Sequence, residues 1–296
     1  MQLKNIFQYI MAAAVVFTVA ACSDDDEGII LGGGGASQPV IPTSDVASRL
    51  EVPALKAGNQ LITHWTYDYK GKVMDYCLEY DFDKYHSRWV AFRFDGITAP
   101  KNVDRKPYEQ RPQYPRDPEL THGYIEDDRS FNGYDHGHLC ASYDRLYSRD
   151  ANDMTFYMTN MSPQKANFNQ KYWPKFEGHV QKLGRNRSFA DTLYVVKGGT
   201  IDDGQFSGRV ASNRVVIPKH YFIALLKVKN NTYSSIGFWV SHFNYDVSQS
   251  DKKALTEKAV TIKELEKLTG IDFFHNLPDK IETQVESSYS LSSWGL

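Results

Sequence analysis

The stretch Gly133–Ser142, GYDHGHLCAS, sets two histidines on either side of one glycine, directly after an aspartate. Three readings of it lead to different proteins. On a strand, His136 and His138 project from one face, and such a pair binds zinc when two further ligands are at hand. Those ligands are hard to find: His179 and His220 are isolated, Cys140 would share the same short strand, and the chain has no CxxC. In the second reading the glycine lets the backbone approach a neighbour closely, and a neutral imidazole near pH 7 is the default general base for activating water. The third is a polar hairpin end with two solvated histidines.

A base needs an electrophile. Downstream, TNMSPQKANFNQKYWPKFEGH (residues 159–179) holds Asn160, Ser162, Gln164, Asn167, Asn169 and Glu177. Amide oxygens, carboxylates and water suit Mg²⁺ or Ca²⁺, whereas thiolate and imidazole suit zinc. Residues 166–184 have helical character, and Pro174 must either kink that helix or open a new helical segment at its first position. On an unbroken helix the step from Asn169 to Glu177 turns through about 800°, about 80° past two full turns, with about 12 Å of rise. The two side chains then sit on neighbouring faces. They address one hydrated metal if water bridges the gap or Pro174 bends the helix; otherwise Asn169 caps the helix and Glu177 is a surface charge.

Around these motifs, β-branched and aromatic runs predict strands at residues 73–82, 87–95, 154–160, 192–198, 219–229 and 233–241. A second helix is expected over 261–269, opened by the capping box TIKE and closed by Gly270. The expected fold class is α+β, a mainly antiparallel central sheet with flanking helices. In VMDYCLEYDF (73–82), Met74, Tyr76, Leu78, Tyr80 and Phe82 form the expected buried face, with Cys77 opposite beside Asp75 and Glu79. A Cys77–Cys140 disulfide is allowed but not required.

The chain opens MQLKNIFQYIMAAAVVFTVAACSDDDEG (1–28). One early lysine, an apolar run from Ile10 to Ala21 and small residues before Cys22 have the layout of a signal peptide, and the run is too short to span a bilayer. VAAC (19–22) resembles a bacterial lipobox, which implies cleavage before Cys22 and lipidation of its thiol; ordinary secretory cleavage is the alternative. SDDDEG resembles the acidic tract that directs some Gram-negative lipoproteins to the cell surface, or is a solvated spacer. The expected organisation is a lipoprotein signal peptide over 1–21, a flexible tether over 22–50 and one domain over 51–296. With 34 basic and 36 acidic residues, the net charge of −2 does not announce a nucleic-acid binder. Residues 99–116 and KLGRNR (182–187) are nonetheless rich in Lys and Arg and leave room for a local basic face.

Taken in order, the motifs are similar to those of the DNA/RNA non-specific endonucleases of the ββα-metal, or Serratia-type, family. They are YDHGH (134–138) for D-x-G-H after an aromatic residue, NMSPQ (160–164) for N-x-[ST]-P-Q, and NQKYWPKFE (169–177) for N-Q-x-x-W followed by a glutamate. The likeness continues through VVIPKHYF (215–222) and TIKELEKLTGIDFFHNLP (261–278), covering most of residues 70–280. It implies a ββα-metal active-site motif in a divalent-metal-dependent, sugar-non-specific endonuclease that hydrolyses DNA and RNA to 5′-phosphate products. On this resemblance His138 is the general base, Asn169 the sole direct protein ligand of the metal, and Glu177 the residue that holds the metal's waters. The implied metal is Mg²⁺, with Mn²⁺ or Ca²⁺ as alternatives.

An upstream pattern R-x-x-[aromatic]-x-x-D-P matches RPQYPRDP (111–118) and makes Arg111 the catalytic cation on the substrate phosphate. A shifted register gives that role to Arg105, Arg116 or Arg129. Where the family's commonest form is D-R-G-H, this chain has His136, which implies weaker phosphate binding unless the imidazole is protonated there. With the leader, the expectation is an exported enzyme, lipid-anchored through Cys22 at the outer membrane or cell surface and acting on DNA and RNA. The alternative is a surface lipoprotein that keeps the fold, has lost turnover, and binds nucleic acid or a partner.

Overall fold

Strands buried on both sides, reading as continuous apolar runs, build the centre of this fold. A computed structural model describes residues 43–69, 71–107, 112–125 and 131–296. Among them the strands are β1 (Gln60–Asp68), β2 (Gly71–Asp81), β3 (His86–Phe94), β4 (Asp135–His138), β5 (Met161–Gln164), β6 (Thr192–Gly199), β7 (Phe206–Val210), β8 (Val215–Pro218), β9 (His220–Lys229), β10 (Thr232–Ser241) and β11 (Ala259–Val260). The α-helices are α1 (Thr43–Ala47), α2 (Arg149–Met154), α3 (Trp173–Arg185), α4 (Asp251–Thr256), α5 (Ile262–Thr269) and α6 (Asp279–Glu286). A seven-stranded sheet runs β1-β2-β3-β6-β9-β10-β11 with antiparallel neighbours, and β4-β5 and β7-β8 form separate pairs. This is the α+β, mainly antiparallel architecture expected.

Two cores cover the two faces of the sheet. Along β9, Tyr221, Ile223 and Leu225 face one core while Phe222, Ala224 and Leu226 face the other. The first core is closed by α3, whose Trp173, Phe176, Val180 and Leu183 recur at helical spacing and are all buried. Each such side chain contributes at most about 1.5–3 kcal/mol by leaving water. Gly184 lets α3 approach β3, since a Cβ there would lie 2.3 Å from the Phe94 ring. The second core is closed by α5, with the Thr261 hydroxyl accepting from the Glu264 amide at its start and Gly270 left-handed at its end, as the capping box predicts.

Three expectations are corrected. Residues 154–160 form no strand: α2 ends at Met154, a turn follows, and the strand begins at Met161. Thr155, Phe156 and Tyr157 read as β-formers, but Thr155 and Phe156 are buried in a bend beneath β4. Met74 does not share a face with Tyr76, because β2 carries an extra residue at Asp75 opposite the His64/Trp65 step, and this bulge sends Met74 into the second core with Cys77. Val46 and Leu50 also pack into that core, ahead of residue 51. Cys77 and Cys140 are free thiols in different cores, so the disulfide left open above is not formed. Cys22 and the leader lie outside the described residues.

Candidate active site

The D-x-G-H motif is β4, and it is held in register by β5: Asp135 faces Gln164, His136 faces Pro163, Gly137 faces Ser162 and His138 faces Met161. Gly137 is required by close packing, because a Cβ there would lie 2.2 Å from both Cδ and Oε1 of Gln164. The amide of Asn160 braces the chain two residues beyond β4: it accepts from Cys140 N at 2.8 Å and donates to the Cys140 and Thr155 carbonyls at 2.9 and 2.6 Å. Ser162 lies between His86 Nε2 at 2.7 Å and the Tyr221 hydroxyl at 2.6 Å. Asn160, Ser162 and Gln164, read from sequence as candidate oxygen ligands, are therefore buried scaffold.

From Ala166 the chain turns into a helix that continues to Arg185, and its second turn is wide. Phe168–Tyr172 is a π-helical segment in which Trp173 N–H donates to the Phe168 carbonyl five residues back. The α-helical pattern resumes at Trp173 with Pro174 in its first turn. The extra residue absorbed by the wide turn makes the step from Asn169 to Glu177 behave like seven α-helical positions. That is about 700°, about 20° short of two turns, so the two side chains return to one face. His242 pins the start of the helix: its Nδ1 donates to the Pro218 carbonyl at 2.9 Å, leaving Nε2 to accept from Lys165 N at 2.8 Å.

Asp135 orients the proposed ligand. Its Oδ2 accepts from Asn169 Nδ2 at 3.0 Å and from Gln170 Nε2 at 2.8 Å. With the NH₂ end so committed, the Asn169 Oδ1 is the end left for a cation. Glu177 lies 3.9 Å from the ammonium of Lys197, which is fully buried on the α3 face of β6 and bonded to Asp144 at 2.5 Å. Asp144 also accepts from Gln181 at 3.0 Å and from Ala141 N at 3.1 Å. Burial pushes the Glu177 carboxyl up, Lys197 pulls it down and Asp144 pushes it up again. Burial alone would lower the Lys197 ammonium, but Asp144 and Glu177 more than offset it. Sequence reading missed this pair; a lysine inside the apolar strand run LYVVKGG was the available signal.

His138 is half-buried, edge-on to Phe156 at 4.9 Å, and its Nε2, shielded from solvent, has no hydrogen-bond partner among the described residues. Loss of water, then the charges of Arg105, His136 and Lys197, pushes its pKa down to about 3. The imidazole is thus neutral at physiological pH, with a lone pair available. His136, on the same strand face, is clamped between Phe131 at 4.2 Å and Tyr114 at 4.3 Å, both rings within 12° of parallel. Tyr114 also meets His138 edge-on at 6.4 Å, so the RPQYPRDP element does reach the site. Asp117 anchors that element through His64 at 3.1 Å and the Thr159 hydroxyl. Arg111 and Arg129 lie outside the described residues. Of the alternatives, Arg116 stacks on Tyr124. Arg105 lies over the Phe156 ring that His138 touches.

Among the described residues no cluster of three or more His, Cys, Asp or Glu could hold a metal, so the zinc clamp finds no support there. An amide oxygen and one half-buried carboxylate on a common helix face instead fit a hard cation that keeps most of its waters.

The model of the DNA/RNA non-specific endonuclease family matches residues 61–280. Nuclease C1 of Cunninghamella echinulata var. echinulata is 29% identical over 191 residues, 62% of this chain and 73% of that protein. A nuclease of Nostoc sp. is 28% identical over 219 residues, 72% of this chain and 75% of that protein. The fold is similar to a chain solved in the EndoG/EndoGI complex, with a TM-score of 0.58 at 22% identity, covering 74% of this chain and 89% of that one. The family match spans the strand pair, the wide-turned helix and the sheet that supports them, and the chain belongs to the DNA/RNA non-specific endonuclease family.

Proposed function

We propose that this nuclease cuts phosphodiester bonds within DNA and RNA in a divalent-metal-dependent reaction that leaves 5′-phosphate ends, with His138 as the general base. The observation that carries this reading is the neutral imidazole whose Nε2 is unpaired, on a strand end locked by Gly137 and Gln164. In the reaction His138 Nε2 takes the proton of the attacking water. Asn169 Oδ1 would hold the cation and Glu177 its waters, with Asp135 fixing the amide's orientation. Mg²⁺, when bound, supplies positive charge at the scissile phosphate and the leaving oxygen. Anionic substrate raises the basicity of His138 by offsetting the nearby Arg105, His136 and Lys197 charges. Arg111, or Arg105 in its place, neutralises the phosphate, and His136 lies on the same side of the strand as the base. Contacts made to phosphate and not to base edges carry no sequence information.

The leader reading completes the proposal: export, lipidation of Cys22 and display at an outer membrane or cell surface. Radiolabelled fatty acid incorporated by the full chain and lost in Cys22→Ala tests it. The reaction is tested with protein lacking residues 1–22, given plasmid, single-stranded DNA and RNA with Mg²⁺ or EDTA. Internal cleavage of all three with Mg²⁺, 5′-phosphate ends and none in EDTA is expected. No cleavage with Mg²⁺ refutes the reading in favour of a fold kept for binding.

A further inference from the structure

Beside the catalytic strand the surface holds an open groove lined by Lys101, Asn102, Asp104, Arg105 and Tyr143. Arg105 ties the groove to the site. Arg105 lies 5.0 Å from the centre of the Phe156 ring, the same ring that meets His138 at 4.9 Å, and its charge depresses the basicity of His138. Tyr143 is five residues beyond His138, a reach of at most about 17 Å, or about five base steps along a strand.

Tyr143 is an unusual surface residue. The residue is 51% exposed, yet hydrogen bonds hold the chain on both sides of it. On one side Ser142 accepts from Arg105 Nε at 2.8 Å through its hydroxyl and from Asn152 Nδ2 at 2.7 Å through its carbonyl. On the other side Asp144 is bonded to buried Lys197, and the Tyr143 carbonyl itself accepts from Arg185. A large apolar ring presented to water from a fixed turn is a pre-organised contact, because little entropy is lost when a flat partner covers it. Lys101 is exposed on the groove wall, and Asp104 is the acidic residue among those lining it.

Resting on the nuclease reading above, we infer that this groove is a track for an unpaired nucleotide strand leaving or entering the site. One base stacks on Tyr143 and the flanking phosphates lie beside Lys101 and Arg105. The strand is unpaired because a base inside a duplex already has both faces covered, whereas a base in a single strand has a face to give to the tyrosine. A duplex can reach the same cations but gains nothing from the ring.

The test is the binding of a fluorescent single-stranded oligonucleotide, and of its duplex, to protein lacking residues 1–22, read by anisotropy in EDTA so that nothing is cut. Tyr143→Ala is expected to weaken single-strand binding about tenfold, the loss of one base stack, and to leave duplex binding within twofold. Tyr143→Phe, which keeps the ring, stays within twofold on both. Lys101→Ala lowers the slope of log affinity against log salt by about 0.7. Tyr69→Ala, at a tyrosine exposed elsewhere, changes neither. The inference is overturned if wild type binds no single strand, if Tyr143→Ala binds it as wild type does, or if that variant loses both forms equally. Since binding is read without turnover, a failure here leaves the hydrolytic reading intact, and a failure to cleave leaves this one intact.

Discussion

Gly137→Ala places one methyl carbon in the tightest contact of the catalytic strand. The new Cβ would lie 2.2 Å from Gln164 Cδ and Oε1 and 2.5 Å from Cγ, where ordinary contact begins at 3.4 Å. The shortfall of about 1.2 Å must be absorbed by movement of one strand or the other. Gln164 cannot swing into solvent, because it is buried and its backbone is paired with Asp135. The movement therefore falls on β4, whose next residue is His138. A misplacement of about 1 Å at a reacting group costs on the order of 100-fold in rate, and overpacking of this kind costs about 1–3 kcal/mol of stability. The expected result is a kcat/KM on plasmid DNA about 100-fold below wild type, with a Tm several degrees lower. Adding Gln164→Ala removes all three clashing atoms and restores at least tenfold of the lost activity. Wild-type activity in Gly137→Ala, or no recovery in the double variant, would refute the reasoning.

Other outcomes follow from the same geometry. A planar guanidinium can stack in the slot between Phe131 and Tyr114, so His136→Arg retains or raises cleavage at pH 8, and a loss above tenfold would show a specific role for the imidazole. Lys197→Met leaves the Asp144 and Glu177 carboxyls without their cation and costs about 3–5 kcal/mol in denaturant melts, part of which Asp144→Asn recovers; a melt unchanged from wild type contradicts this. Burial lowers the His86 pKa to about 4, so the unfolded chain takes up this proton near pH 6.5 while the native one does not, and stability is lost as pH falls from about 6.5 to about 4. Buried Asp75, pushed up to about 7, acts in the opposite sense, so the effect is read by difference: wild type loses about 3 kcal/mol relative to His86→Gln across that window. A constant difference contradicts it.

Much of the site was legible because its chemistry is local in sequence. Each motif occupies one short element: YDHGH is β4 with its preceding turn, NMSPQ is β5 with its preceding residue, and NQKYWPKFE is the wide turn with the start of α3. The spacing of Asn169 and Glu177 on an ideal helix left them about 80° from a common face. Nothing in the sequence specified the π turn that brings them together, although Pro174 marked where the regular pattern had to break. Strands at 192–198, 219–229 and 233–241 were readable because their apolar runs are long, whereas β7 is short and half-polar and β8, though apolar, is only four residues long. The error at 154–160 arose because Thr155 and Phe156 are buried by their position under β4, and a buried bend has the same composition as a strand. Contacts made across the fold had no sequence signature beyond single odd residues. Lys197 reaches Asp144 over 53 positions, and Phe131 and Tyr114 close on His136 from two loops.

The central claim is that His138 Nε2 removes the proton of the attacking water, and one comparison tests it most directly. Protein lacking residues 1–22 is assayed on plasmid DNA with saturating Mg²⁺, as wild type and as His138→Ala, with added imidazole in a parallel series. The variant is expected to melt within a few degrees of wild type, to lose about 10²–10⁴-fold in kcat/KM, and to regain part of it as neutral imidazole rises. A folded His138→Ala protein that cleaves within a few-fold of wild type would contradict the account.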